Sequence, residues 1–419
     1  MLFPKILIVM KQGYLSQYFV SVAAKRLSAV EADPERSNQH EFNGSKELKR
    51  VLGTGTGEPI SFQTRFIWFG GENEGIVSDG SVTWYDARLA HPKRSEYRLY
   101  FPTNEVMSLA RERDTIFIAK RTDDTLLLIV TSSGTTLENQ LHWLFGISKQ
   151  IGFDYSLQEF EKEDVEIDFT VRFILDELGI DIEEPDTDFL DSLLEDFKRS
   201  FPLTKDFSKF ARDNVRTAVN AIEEPDNTLM EWLDFEELLF RRLERHIVAE
   251  RLEKGFSGQD GADVDGFISF SLSVQNRRKS RAGHSLEHHL EEIFKINKLR
   301  YERGAKTENN SSPDFLFPGV KEYHNLEFPV DELVMLGVKT SCKDRWRQVL
   351  SEARRIPRKH LLTLEPSISV NQTQEMQSHN LQLVLPAQIH ETYFEEQRTW
   401  LMNLSDFICF LSKKGAIGG

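Results

Sequence analysis

Apolar and polar positions divide this chain into three stretches of different texture. Up to about residue 150 the apolar positions fall in short runs at 18–23, 64–69, 81–85, 96–101, 115–120 and 126–131, which read as strands. Thr122, Asp123 and Asp124 form the turn between the last two. One helix is predicted near 105–113. Short, closely spaced strands predict an all-β barrel or sandwich over residues 1–150. From 151 to 225 the pattern changes to short amphipathic pieces, 171–178 and 189–197, with Pro185 and Pro202 as breakers. That stretch reads as a helical connector.

Beyond residue 226 a strongly helical run, 229–254, stops at Gly255. A Gly/Asp-rich turn at 258–266 leads to a second helix, and Ser285 is placed to cap a third that ends near Phe294. Strands at 315–317, 333–339, 361–364 and 381–384 alternate with helices near 345–356 and 391–411, which predicts an α/β domain over 226–419. No internal repeat or low-complexity tract interrupts this order.

Composition narrows the class. With 419 residues, two or more cores are expected. A hydrophobic content of 39% and a charged content of 28% describe a soluble globular protein and exclude disordered, fibrous and membrane classes. The apolar run 6–10 is too short for a secretion signal and is followed by Lys11 and Gln12. Cys342 and Cys409 have neither metal-ligand spacing nor the number for a disulfide framework, so a cytoplasmic setting without membrane partners is expected. The net charge of −15 is local: between Asp154 and Asp196 stand 17 acidic and 2 basic residues, leaving the remainder near neutral. Such a run is either a solvated surface or a segment that competes with DNA phosphate for a basic site.

The chemistry lies in the last third. Asp314 follows Pro313 at the start of one strand, Lys339 ends the next, and Glu352 stands thirteen residues further on, with Glu287 on a helix upstream. Phosphodiester hydrolysis needs an activated water, a Lewis acid on phosphate and a group that offsets charge on the leaving oxygen. Carboxylates at strand ends suit Mg²⁺, a hard cation that keeps several waters, and a neighbouring lysine can orient or deprotonate the attacking one. Taken one at a time, Glu287 is also an exposed helix acid, Asp314 a turn residue and Glu352 a helix-surface acid. Arg277, Arg278, Lys279 and Arg281 read as a solvated basic loop or as phosphate contacts. Trp346 reads as core, interface or base-stacking wedge.

Asp314 and Lys339 resemble the PD-(D/E)XK nuclease superfamily, with Gly337 where an acid is expected and Glu352 positioned to replace it. The motifs from Asn276 to Gly283, Ser285 to Glu287, Pro313 to Pro318, Glu327 to Val330 and Val338 to Gln348 resemble the catalytic domain of the EcoRII-type restriction endonuclease family, in order. The resemblance runs from about residue 229 to 386. It implies a restriction-endonuclease-like α/β nuclease with catalytic residues Glu287, Asp314, Lys339 and Glu352, and with Glu287, Asp314 and Glu352 holding Mg²⁺. It makes Lys343, Asp344 and Arg345 base readers, whose chemistry suits C·G pairs. At the amino terminus, residues 19–28 and Lys93 to Arg98 resemble the effector DNA-binding domain of the same family, a β pseudobarrel. There Lys93, Arg94, Glu96, Arg98 and His40 are expected to face DNA, the alternative being a charged edge that blocks aggregation.

The whole implies a multidomain type II endonuclease: DNA-binding pseudobarrel 1–150, acidic helical connector 151–225 and nuclease 226–419. It would cut both strands of duplex DNA with Mg²⁺ at a CC…GG-like site. The resemblance adds homodimerisation through the nuclease domain, autoinhibition by the amino-terminal domain and a cognate methyltransferase in the host. A modification-sensing nuclease and a DNA-binding regulator with an inactive nuclease fold are the alternatives.

Overall fold

Residues 126–131 are apolar at five successive positions, a pattern that suits a strand covered on both faces rather than one that meets water. In the computed structural model, which describes residues 13–33, 40–54, 57–70, 75–182, 187–197, 200–258, 261–308 and 311–416, that is where they lie. The amino-terminal strands are β1 (Phe19–Arg26), β2 (Glu41–Asn43), β3 (Ile60–Phe69), β4 (Ile76–Asp86), β5 (Tyr97–Tyr100), β6 (Thr115–Arg121), β7 (Leu126–Thr131) and β8 (Ser156–Glu159). They make one sheet in the order β2-β5-β4-β3-β7-β6-β1-β8, antiparallel except where β3 meets β7. Leu126, Leu128 and Val130 join Phe66, Val82 and Leu99 on one face, while Leu127 and Ile129 join Phe117, Leu141 and Phe145 on the other.

Because both faces are apolar, both need cover. The helices Lys46–Leu52 and Glu105–Leu109 shield the first face, and Thr136–Leu144 and Phe169–Glu177 shield the second. The amino-terminal unit therefore carries more helix than the single one expected at 105–113.

The expected connector is divided. β8 pairs with β1, and Val171, Ile174 and Leu175 enter the core beneath it, so the described part of 151–182 packs with the amino-terminal sheet. Leu190, Leu194, Phe207 and Ala211 instead pack on Phe235, Leu238 and Leu239 further along the chain. The chain separates accordingly into two units: Lys11–Glu183 with Ser367–Asn371, and Glu184–Pro366 with Gln372–Gly419. Apolar faces, not the shared acidity, decide where each piece docks.

The carboxy-terminal unit adds a small hairpin of β9 (Ser257–Gly258) and β10 (Gly261–Ala262), then β11 (Glu302–Arg303), β12 (Phe315–Phe317), β13 (Val334–Lys339), β14 (Lys359–Thr363) and β15 (Leu381–Val384). The last five form a sheet in sequence order, antiparallel through β13 and parallel from β13 to β15. Its helices Pro225–Lys254 and Val264–Ile296 flank the hairpin. Gly255 ends the first with φ of 71°, a left-handed conformation that favours glycine. Asp226, buried in its first turn, accepts from the backbone of Ala387, Leu404 and Ser405 at 3.0, 2.8 and 2.9 Å. It thereby ties this helix to the start of the helix Leu404–Lys413.

The helix Val264–Ile296 runs unbroken for 33 residues, so Arg277, Arg278, Lys279 and Arg281 lie on a helix rather than a loop, and the cap expected at Ser285 is absent. The helix is capped by Asp263, whose carboxylate accepts from Gly266 at 2.9 Å, and Ser285 is buried mid-helix. A charge network is hidden between the long helices. Glu236, fully buried, accepts from Arg281 at 3.1 Å and lies 2.8 Å from His289. Burial alone would raise its pKa, yet His289 and Arg281 hold Glu236 down at about 2. Among the described residues no helix is long and apolar enough to cross a membrane.

Arg281→Ala leaves Glu236 buried with half its partners and should cost about 3–5 kcal/mol in urea unfolding, as breaking a buried ion pair does. Lys279→Ala, on the exposed face of the same helix, should stay within about 0.5 kcal/mol of the parent. Equal stability of the two variants would contradict the structural role of Arg281.

Candidate active site

β12 and β13 are short, and their antiparallel register sets Phe315 opposite Leu336. Asp314, one residue before β12, therefore comes beside Val338 and Lys339. Its Oδ2 accepts from the Val338 backbone N–H at 2.6 Å and from Lys339 Nζ at 3.1 Å. Lys339 Nζ also donates to the Val338 carbonyl at 3.0 Å. Both side chains are half-buried, 21% exposed, so the pair is shielded but open to a ligand.

Glu352 completes the group. Burial raises its carboxyl to about 7, and the charge of Asp314 adds to that rise while Lys339 and Lys359 oppose it. Its Oε2 is buried without a hydrogen-bond partner. A carboxylate pushed up by burial and a like-charged neighbour, with an orphaned oxygen, is electrostatically short of a cation.

Why the acid comes from position 352 is legible at Gly337. A Cβ there would stand 3.0 and 3.1 Å from the methyl carbons of Val349. The helix Trp346–Leu350 thus packs directly over the strand position where the acid was expected, and its end delivers Glu352 instead. The delivering turn is itself clamped. Ala353 has φ of 43°, and Lys359 Nζ donates to the carbonyls of Glu352 and Ala353 at 2.5 and 2.6 Å. Arg355 donates to the carbonyls of Tyr323, Asn325 and Phe328. Burial pushes Lys359 down to about 8, with Glu308 and Glu352 holding it up. Neither Lys359 nor Arg355 was singled out from sequence, because each acts through backbone carbonyls that carry no sequence signal.

Glu287 does not join them. Arg303, opposite Phe315 in the β11–β12 register, takes the carboxylates of Glu287 at 2.5 Å and Glu291 at 2.7 Å. Among the described residues no group of three or more His, Cys, Asp or Glu side chains is arranged to hold a metal. The structure thus sets Asp314 beside Glu352 and pairs Glu287 with Arg303. Two carboxylates with no His or Cys still fit Mg²⁺, which takes one or two carboxylates and completes its shell with water and substrate phosphate.

Of the expected base readers, Lys343 and Arg345 are exposed on a short 3₁₀ turn, Lys343–Arg345, and Arg345 donates to the Ser341 carbonyl at 2.8 Å. The Asp344 side chain lies outside the described residues. Trp346 is fully buried, which makes it core. Among the expected phosphate contacts, Lys279 is exposed, Arg277 lies over the Phe201 ring at 4.3 Å, and Arg278 binds Glu244 at 2.5 Å. Arg281 is 7% exposed and ion-paired, so it is a core residue rather than a phosphate contact.

In the amino-terminal unit, Lys93 and Arg94 are exposed between β4 and β5. Glu96 and Arg98 are instead joined in a chain with Arg88 and Glu41, at 2.5 to 2.7 Å. The hydrogen bonds that Arg98 donates to Glu96 and Glu41 raise its guanidinium further. His40 is half-buried against Phe101 and lines a cavity of about 660 Å³ with Met107 and Arg111.

Residues 240–408 match the family described as EcoRII C terminal. Over 235 residues the sequence is 40% identical to the type II restriction enzyme EcoRII of Escherichia coli, an alignment that spans 56% of this chain and 56% of that relative's length. Among solved structures, metal-depleted Ecl18kI with uncleaved, modified DNA aligns at TM-score 0.41 and 18% identity, covering 54% of this chain and 83% of that one. The PspGI–substrate DNA complex aligns at TM-score 0.41 and 14% identity, covering 53% and 95%.

Two outcomes follow from this geometry. Gly337→Ala should overpack Val349 and lower unfolding stability by about 1–3 kcal/mol; an unchanged urea midpoint would mean that the helix is not seated on β13. In the metal-free protein, a Glu352 pKa raised above its unfolded value stabilises below about pH 4 and loses that contribution as pH rises through about 7. Thermal melts in EDTA should therefore fall from about pH 5 to 8 in the parent but less in Glu352→Gln, with Mg²⁺ restoring more at the higher pH. Parallel melting curves for the two proteins would contradict it.

Proposed function

We propose, from the premise that residues 240–408 are an EcoRII C-terminal family domain, that this chain is a Mg²⁺-dependent type II restriction endonuclease. It would hydrolyse both strands of duplex DNA at a CC…GG-like sequence in the cytoplasm of a host with a matching methyltransferase. The observation that carries this is the contact of Lys339 with Asp314 at 3.1 Å beside the Glu352 carboxylate, whose buried Oε2 has no hydrogen-bond partner.

Asp314 and Glu352 would hold the cation, with Glu287 outside its shell in the grip of Arg303. Bound there, Mg²⁺ would polarise the scissile phosphate and acidify a water. Lys339, already held by Asp314, would orient that water or take its proton. The Val338 N–H fixes Asp314, so the carboxylate needs little rearrangement when phosphate arrives. Lys343 and Arg345, exposed on the turn that follows β13, would donate to guanine O6 and N7, and Asp344 would accept from cytosine N4. Arg277, Arg278 and Lys279 would supply phosphate contacts.

The amino-terminal unit, read as an effector pseudobarrel, would bind DNA through Lys93, Arg94 and the neighbourhood of Glu96, Arg98 and His40. It would restrain the nuclease until a second copy of the site binds, and two nuclease domains would dimerise to cut two strands.

With Mg²⁺, the full chain should linearise unmethylated plasmid carrying CC…GG sites and spare methylated plasmid. Asp314→Ala should abolish cleavage, and Lys339→Ala should slow single-turnover cutting by about 10²–10⁴-fold, the range of a positioned acid or base. Wild-type rates in Asp314→Ala would sink the assignment. Short duplexes bearing the site, added in trans, should speed cutting of a one-site plasmid if the amino-terminal unit restrains it.

A further inference from the structure

Glu365 lies two residues beyond β14 and is 4% exposed, yet no motif marked it. Its Oε2 accepts from the backbone N–H groups of Cys342 and of Lys343, the latter at 3.1 Å. These are the two amides that open the turn Lys343–Arg345. Gln372 Nε2 donates to the Lys343 carbonyl at 2.7 Å, so the Lys343 residue is gripped on both its peptide groups. Lys343 has φ of 35°, a backbone state that a lysine keeps only where its surroundings over-determine it.

The backbone of the same residue connects that turn to the catalytic strand pair. Lys339 is in register with Thr363 where β13 and β14 run parallel. Past that point the Thr363 hydroxyl donates to the Thr340 carbonyl at 3.2 Å and accepts from the Glu365 N–H at 3.2 Å. The Tyr393 hydroxyl donates to the Glu365 carbonyl at 2.7 Å and holds the residue from behind. From Lys339 to Arg345 the chain is therefore laced to the end of β14, with Glu365 as the lace nearest the turn.

We propose that Glu365 is a positioning residue for sequence discrimination. Its buried carboxylate sets the turn that carries Lys343 and Arg345 at a fixed height above Lys339, so that correct base contacts and a correctly placed phosphate coincide. A bidentate base contact is worth most when its donors are held in place before DNA arrives, because freezing a mobile turn offsets what the contact contributes. This inference rests on Lys343 and Arg345 meeting base edges, as proposed above.

The test uses the full-length chain and, as target, whichever CC…GG duplex of varied centre the parent cuts fastest, beside a random duplex of equal length. Binding to both is measured for the parent, Glu365→Ala, Glu365→Gln and Arg345→Ala, together with KM and kcat on the target. Glu365→Ala should lower the target-to-random affinity ratio by about tenfold, within the range of one lost bidentate contact, and should raise KM while leaving kcat at saturation. Glu365→Gln, which keeps an acceptor of the same shape, should recover most of the ratio. If Arg345→Ala lowers the ratio and Glu365→Ala does not, the role of Glu365 is overturned and base reading by the turn stands. Equal loss on both duplexes in Glu365→Ala, without recovery in Glu365→Gln, also overturns it. An unchanged ratio in Arg345→Ala removes the premise, and the inference with it.

Discussion

The register of β12 against β13 is the constraint on which the candidate site depends. With Phe315 opposite Leu336 and Phe317 opposite Val334, Asp314 is carried past the end of its strand to the level of Val338. There one backbone N–H and the Lys339 Nζ converge on a single carboxylate oxygen. A slip of one residue would turn every side chain of β12 to the other face. The core resists such a slip: Phe315, Leu316 and Phe317 are fully buried, and Phe294 packs edge-on against Phe315 and Phe317 at 5.1 and 5.4 Å. Hydrophobic packing thus sets the position of a polar group to within hydrogen-bond tolerance.

The same sheet explains how an acid displaced along the sequence returns to the site. At Gly337 the strand has no side chain, and Val349 fills that space. Helix and strand are in contact, the helix ends two residues before Glu352, and Lys359 and Arg355 hold the exit turn through backbone carbonyls. An acid on β13 and a helix seated on β13 exclude one another. The arrangement keeps the helix and moves the acid.

Arginine and glutamate serve opposite ends in this molecule. Arg281 with Glu236, and Arg98 with Glu41 and Glu96, are consumed in the internal structure. Arg345, exposed on its turn, and Lys93 and Arg94 face outward. Residue type says nothing about which fate applies. Burying an arginine demands an acid nearby, so the distinguishing fact is the presence of that acid across a helix pair or strand pair.

Much was determined by the chain order of residue types. The long helix ending at Gly255, the hairpin from 115 to 131 and the strands at 315–317 and 381–384 all follow from apolar runs, breakers and short-range spacing, while the grouping of Asp314, Lys339 and Glu352 was legible through the family resemblance of the motifs that carry them. Those features are local, and a strand or helix of the right period places its own side chains wherever it docks. What only the tertiary structure decided involves partners far apart in sequence. Examples are the capture of Glu287 by Arg303, the burial of Arg281 on Glu236, the division of the acidic stretch between two units, and the anchoring of the Lys343–Arg345 turn by Glu365. In each case the deciding group is a backbone amide or a single opposite charge brought in by packing. Neither leaves a periodic trace along the chain, so neither was legible before the elements were assembled.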